Sequence, residues 1–362
     1  MAHIERVYKA IQHEEADKVP KGEIGQGVDK KLVRELLGEE CDLSDSEQAR
    51  FQNKKKVLEL LSMDLVTVGL DYVGPPSVKQ IGTDEEGHKI YRDKLLGREY
   101  ISVGYGASKN IKPVISDPKE VYDFQWPSIE LYSTKTIEKW RKETDYFLFP
   151  CVSGSFEASY ELNNFDDFML WCYTNKAEVK EWTRKMTEFG VVQARKLVKA
   201  GAHAIVIPDD LAFNSGTFIR PELLREFIFP FLEEEVYQIK KMGVPVFLHS
   251  DGDIRKVLDD IIAIGFDGWQ AVQAPIGWGY VKYMEEIKRR YGDKLCLMGN
   301  VNIDLLGRGT PEEIKEEVKQ TIRIAAPGGG FILSSSNELG RETSPENALA
   351  MYQTAERHGR YC

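Results

Sequence analysis

The sequence lacks an excess of positive charge, long apolar runs and paired cysteines, and each absence removes a class of function. Its 48 lysines and arginines are outnumbered by 58 aspartates and glutamates, for a net charge of −10. A phosphate backbone or an anionic membrane surface needs a basic face, so neither nucleic acid nor membrane is an expected partner. The apolar runs are of strand length, far short of the ~20 residues that span a bilayer. The opening Met1-Ala2-His3-Ile4-Glu5-Arg6 lacks the basic-then-apolar pattern of a secretion signal. The five cysteines, Cys41, Cys151, Cys172, Cys296 and Cys362, are far apart and never in C-x-x-C spacing. That usage suits a reducing cytoplasm and supplies no cysteine knuckle for a metal. There is no linker rich in Gly, Ser or Pro and no low-complexity stretch, so 1–362 reads as one domain. No glycine-rich fingerprint follows the first strand-like run, which weighs against an open dinucleotide-binding sheet.

What is present is a rhythm. Eight short apolar runs, 19–24, 65–70, 147–152, 204–207, 246–249, 268–272, 295–298 and 331–333, alternate with longer charged stretches of helical pattern. Most runs are apolar throughout, as strands buried on both faces are. Helix starts are marked by Ser44-Asp45-Ser46-Glu47, Thr310-Pro311-Glu312-Glu313 and Ser344-Pro345-Glu346. After the fifth run, Ile254, Val257, Leu258, Ile261 and Ile262 recur at helical spacing up to Gly265. Strand then helix, eight times over, predicts an α/β fold of the (β/α)8 TIM-barrel class. Residues 18–62 form its first strand and an N-terminal helical extension. A β-hairpin or short meander at 78–105, around Gly82-Thr83-Asp84-Glu85-Glu86-Gly87, is inserted after the second strand, on the face where a lid would sit.

In such a barrel the residues just past each strand converge on one mouth. The first strand delivers Glu23 and Gln26, the second Asp71 and Tyr72, the third Ser153, Gly154 and Glu157. The fourth delivers Asp209 and Asp210, the fifth His249 and Asp251, and the sixth Gln273. Asn300 and Asn302 follow the seventh, and Ser335, Ser336, Asn337 and Glu338 the eighth. His249 is the most specific signal, because Asp251 two residues on faces the same side of an extended segment. That pair reads as metal ligands, as an acid/base with its orienting carboxylate, or as donors to substrate; a histidine capping a loop is the bland alternative. The adjacent carboxylates Asp209 and Asp210 repel when both ionise, so they bind a cation, share a proton or divide roles; helix capping is the plain alternative. The expected catalytic set is His249, Asp210 and Glu23. The expected substrate contacts are Asp209, Gln273, Asn300, Asn302, Tyr72 and Phe156, with Tyr160 and Trp269 as further aromatic walls. Cys296, inside a strand, reads as core, and Gly328-Gly329-Gly330 as a turn.

Several of these segments together resemble one superfamily. They are Gly201 through Asp210, Pro221 through Pro230, His249-Ser250-Asp251-Gly252, Gly265-Phe266-Asp267-Gly268, Tyr291 through Asn302, Gly328-Gly329-Gly330 and Pro345-Glu346-Asn347. From about 147 onward the chain is similar to the uroporphyrinogen decarboxylase superfamily, which implies a (β/α)8 barrel and one of two activities. The tetrapyrrole decarboxylases carry Met-Arg-Gln-Ala-Gly-Arg-Tyr after the first strand. Here that place reads Lys21-Gly22-Glu23-Ile24-Gly25-Gln26-Gly27, with no arginine to hold a polyanion. The other branch, the cobamide-dependent methyltransferases, implies a methyl donor, a corrinoid (cobamide) carried on a partner protein, and zinc held by His-x-Cys and a later Cys. His249 matches the histidine and Asp251 stands at the first cysteine. Ser336, Asn337 or Glu338 lies near the second, so the resemblance leaves a metal set of His249, Asp251 and Glu338. Oxygen ligands disfavour thiol activation and leave room for an oxygen substrate such as an aryl methyl ether, as in O-demethylating members. A decarboxylase and a non-catalytic corrinoid- or partner-binding barrel are the alternatives.

Overall fold

The computed structural model describes residues 1–25, 28–44, 46–104 and 107–361. Gln26, Asp45 and Tyr105 lie outside the described residues. Five strands form a parallel sheet in the order Phe331–Ser335, Cys296–Val301, Gly268–Ala271, Val246–His249, Ile205–Pro208. The ladder does not stop at either edge. Val206 bonds to the carbonyl of Pro150 and Val152 to that of Val206, joining the third run to the fourth. Leu65–Val66 pairs in parallel with Phe147–Leu148. The first run closes the circuit: the amide of Leu333 donates to Pro20, that of Gly22 to Leu333, and that of Asp64 to Lys21. Eight segments are thus linked in a ring with helices between them, an α/β arrangement of the TIM-barrel type.

Pro20 and Gly22 keep 19–24 from being a regular strand, yet the few ladder bonds it makes are enough to seal the ring. Side chains alternate across the ring's wall, as strand geometry requires. Leu65, Phe147, Phe149, Ala204, Val206, Phe247, Cys296, Met298 and Ile332 form one buried cluster inside. Val66, Leu148, Ile205, Ile207, Leu248, Leu297, Phe331 and Leu333 point outward into the helices. The helix His3–Ile11 packs Val7, Ala10 and Ile11 against the inner cluster, beside the residues that begin the strands. Its plug leaves the opposite end of the ring for chemistry.

The helix starts follow the sequence in part. Thr310 forms a capping box with Glu313, and Ser344 accepts from the Asn347 amide. Ser46, not Ser44, caps the helix Glu47–Leu60 by accepting from Ala49. The helical extension consists of Lys30–Leu37 and Glu47–Leu60. The insertion is larger than the hairpin or short meander expected at 78–105. It is a four-stranded antiparallel meander, Val78–Thr83, Lys89–Asp93, Arg98–Gly104 and Ala107–Lys112. The last strand, Ala-Ser-Lys-Asn-Ile-Lys, has a single large apolar residue and no alternation to betray it. Nor is the sheet detached: Asn110 donates to the Glu161 carbonyl, and the Val114 amide to that of Leu162, docking it on the helix Glu157–Leu162. Among the described residues no helix is long and apolar enough to cross a membrane.

Candidate metal centre

The alternation that sends Phe247 inward and Leu248 outward sends His249 inward again, at the end of its strand. The neighbouring strand puts Gln270 directly opposite it. The two side chains meet, His249 Nδ1 against Gln270 Oε1. Gln270 Nε2 donates to the carbonyl of Asn337 at 2.7 Å, which fixes the amide and leaves its oxygen facing the imidazole. Nδ1 therefore carries the proton, and the Nε2 lone pair is left for another partner.

Two carboxylates stand around that lone pair. Asp210 Oδ1 lies 3.8 Å from His249 Nε2 and accepts from the Asp251 amide at 2.8 Å. Asp251 Oδ2 accepts from Asn337 Nδ2, while its Oδ1 is buried with no hydrogen-bond partner among the described residues. Ligand atoms of Asp210, His249 and Asp251 lie within 4.8 Å of one another. Burial pushes the Asp251 carboxyl up to about 7, against the pull of His249 and with the help of Asp210. Burial lowers the His249 imidazole, but Asp251 and Asp210 outweigh it and the net shift is upward. Glu157 accepts from the Asp210 amide at 3.3 Å and is held well above the usual carboxylate range by burial and by Asp210. Glu338 adds its charge to His249 and Asp251. An orphaned carboxylate oxygen, an oriented imidazole lone pair and an excess of buried acid are what a divalent cation would satisfy, so these residues fit a metal.

Asp210, assigned a catalytic role on sequence, thus takes the third place in the cluster, and Glu338 stands outside it. The other expected site residues are not members of this cluster. Asp209 is fully buried and accepts from the amides of Phe156 and Glu157 and from Ser155 Oγ, so it pins a loop rather than facing a ligand. Asn302 caps the helix Ile303–Arg308 through the Asp304 amide. Glu23 accepts from Tyr352, from the Ser335 amide and from Ser335 Oγ. Burial there pushes it up to about 8. Tyr72 lies in a small side sheet against Tyr132, its hydroxyl on Pro75. Gln273 Oε1 ties down the Gly252 amide. Asn300 donates to the Tyr280 carbonyl, and its buried Oδ1 has no hydrogen-bond partner among the described residues.

Phe156 is fully buried among Tyr160, Phe168 and Phe218. Phe156→Ala is therefore expected to destabilise the fold by about 3–5 kcal/mol, in line with loss of a core aromatic. Denaturant unfolding measures this; a raised KM with unchanged stability would return Phe156 to the substrate wall.

The sequence reading missed Gln270 as a determinant of the cluster; Asn337, placed at the mouth, orients Asp251 instead of standing in the ligand set. Gln270 had a signal: a lone amide inside the strand Gly-Trp-Gln-Ala, on the inward parity set by Trp269 pointing out.

The chain has known relatives. The family described as Uroporphyrinogen decarboxylase (URO-D) matches residues 99–358. A uroporphyrinogen decarboxylase of Pseudoalteromonas translucida is 27% identical over 157 residues, 42% of this chain and 40% of that protein. The methylcobamide:CoM methyltransferase MtaA of Methanosarcina barkeri is 27% identical over 201 residues, 55% of each chain. The chain thus spans about half the length of the curated relatives it matches. A methyltransferase structure from Methanosarcina mazei superposes with a TM-score of 0.75 over 99% of both chains, at 19% identity, which speaks for the fold.

Proposed function

Because the chain belongs to the uroporphyrinogen decarboxylase family, we propose that it is a (β/α)8-barrel methyltransferase that moves a methyl group from a small donor to the cobalt of a corrinoid protein. The donor class is a methylated oxygen compound such as an aryl methyl ether, and the reaction belongs in the cytoplasm. The observation that carries this reading is the acidic cluster Asp210–His249–Asp251, with Glu157 and Glu338 beside it. A tetrapyrrole with many carboxylates would meet like charge there and no arginine from 21–27, and the one cation of that stretch, Lys21, is buried against Glu356. A neutral ether meets no such repulsion.

His249 Nε2, Asp210 and Asp251 would hold the metal, zinc being the ion that accepts this mixture of imidazole and carboxylate. When bound, it supplies Lewis acidity at the donor oxygen, whose C–O bond breaks as the methyl passes to cobalt(I). Gln270 holds the imidazole in the tautomer that leaves Nε2 free. Asn337 orients Asp251. Asn300 stands near the end of its strand, Cys296–Val301, with its buried Oδ1 unpartnered among the described residues. Tyr160, whose hydroxyl reaches the Asp210 carbonyl at 3.4 Å, packs edge-on against Phe165 and Phe218, and Phe213 extends that group with its ring half exposed. The Asp253 amide donates to Phe213's backbone carbonyl and fixes where this apolar wall stands, which suits a flat donor.

The test is to mix metal-replete protein with cob(I)alamin and a panel of methyl ethers and follow the cobalt spectrum. The expected result is methylcobalamin with at least one aryl ether. Conversion of uroporphyrinogen to coproporphyrinogen, with no methylcobalamin from any donor, would replace this reading with the decarboxylase.

A further inference from the structure

Glu235 is an acid that nothing in the proposed reaction uses. It lies on the helix Phe229–Lys240, is fully buried, and neither carboxylate oxygen has a hydrogen-bond partner among the described residues. The ionisable group that acts on it is another acid, Asp209 at the end of Ile205–Pro208, and among the described residues no lysine, arginine or histidine offsets its charge. An ionised carboxylate in that setting would carry a large desolvation cost with nothing to repay it.

Its surroundings say what it does instead. The facing helix, Lys176–Lys199, has Gly190 at the crossing. A Cβ at Gly190 would fall 2.1 Å from Glu235 Oε1 and 2.6 Å from the carbonyl oxygen of Ser153. The carboxyl and the carbonyl therefore share the one notch that the missing side chain leaves. Three residues on, Gln193 accepts from the Ser153 amide at 2.8 Å, so the same helix already grips that residue's backbone on its N–H side.

We propose that Glu235 is a positioning residue: a neutral carboxylic acid whose O–H donates to the Ser153 carbonyl through the notch at Gly190. Ser153 begins the loop that runs to Glu157. Through that loop the amides of Phe156 and Glu157 reach Asp209, and Glu157 reaches the Asp210 amide. A proton placed on one helix thus sets the loop that flanks the cluster, and it does so whether or not the methyl-transfer reading holds.

The sign of the pH effect follows from burial, which holds Glu235 well above its ordinary 4.5. Above that value the unfolded chain releases the proton and the folded chain keeps it. The contribution is present in full at low pH and is lost as pH rises toward the folded value.

The test compares wild type with Glu235→Gln, Glu235→Leu and Gly190→Ala, all full length. Glu235→Gln keeps a donor and no charge. It is expected to match wild type near pH 5 and to gain thermal midpoint relative to wild type as pH rises to 8. Glu235→Leu and Gly190→Ala are expected to lose the grip on Ser153, with amide hydrogen exchange at Phe156 and Glu157 at least tenfold faster while the far-UV spectrum stays native. If Glu235→Leu fails to fold, Gly190→Ala and the Gln pH profile carry the test. A flat Gln-minus-wild-type profile overturns the proposal. So does unchanged protection at Phe156 and Glu157 in the Leu or Ala variant, or a Gln variant as impaired as Leu.

Discussion

His249→Ala is expected to lower methyl transfer to cob(I)alamin by about a thousandfold, the scale of losing a Lewis acid or a key stabilising donor at the reacting oxygen. The thermal midpoint should move little. The imidazole sits at the end of its strand and contacts Gln270 and Asp210 rather than the apolar core below Phe247. Removing it leaves Asp210 and Asp251 facing each other without the one ligand that is not an acid. Metal occupancy should fall together with activity, and both are read on the same preparation. Full activity in a folded His249→Ala protein would remove the histidine from the chemistry.

Gln270→Leu is expected to weaken metal binding by about 10–100-fold, the usual consequence of deleting the group that orients a ligating histidine. The side chain is fully buried and works in two directions at once. Its oxygen accepts a hydrogen bond from His249 Nδ1, and its amide nitrogen donates to the carbonyl of Asn337, whose own side chain holds Asp251. Leucine breaks both ties and leaves the imidazole free to rotate or change tautomer. Competition titration with a chromophoric chelator measures the loss. Gln270→Glu keeps the acceptor on Nδ1 and should lose less; equal loss in the two variants would mean that the Asn337 tie, not the tautomer, matters most.

Much of this arrangement was legible in the chain. The runs at 246–249 and 331–333 announced themselves by apolar continuity, and the position of His249 at a strand end followed from that alone. The spacing of Asp251 from His249 pointed to a shared site, which the structure brings together with Asp210. Legibility failed where a polar residue serves the fold instead of the ligand. Asp209 and Asn302 occupy strand ends, yet both cap backbone amides, and an acid or amide at that position looks the same in sequence whichever role it has. Phe156 is adjacent to Glu157 but turns into the core, a choice made by Phe168 and Phe218 from other elements. Gln270 was passed over because the strand was read as apolar throughout, and Glu235 because a helix acid normally faces water. Both depend on partners far away in the chain, Asn337 for one and Gly190 for the other.

The most direct measurement is metal analysis of the purified protein followed by X-ray absorption at the edge of the metal found. The account predicts one divalent ion per chain, with nitrogen and oxygen neighbours at about 2.0–2.2 Å, no sulfur shell, and loss of the ion in His249→Ala. Sulfur scattering at about 2.3 Å, or a fully active protein that holds no metal, would contradict it.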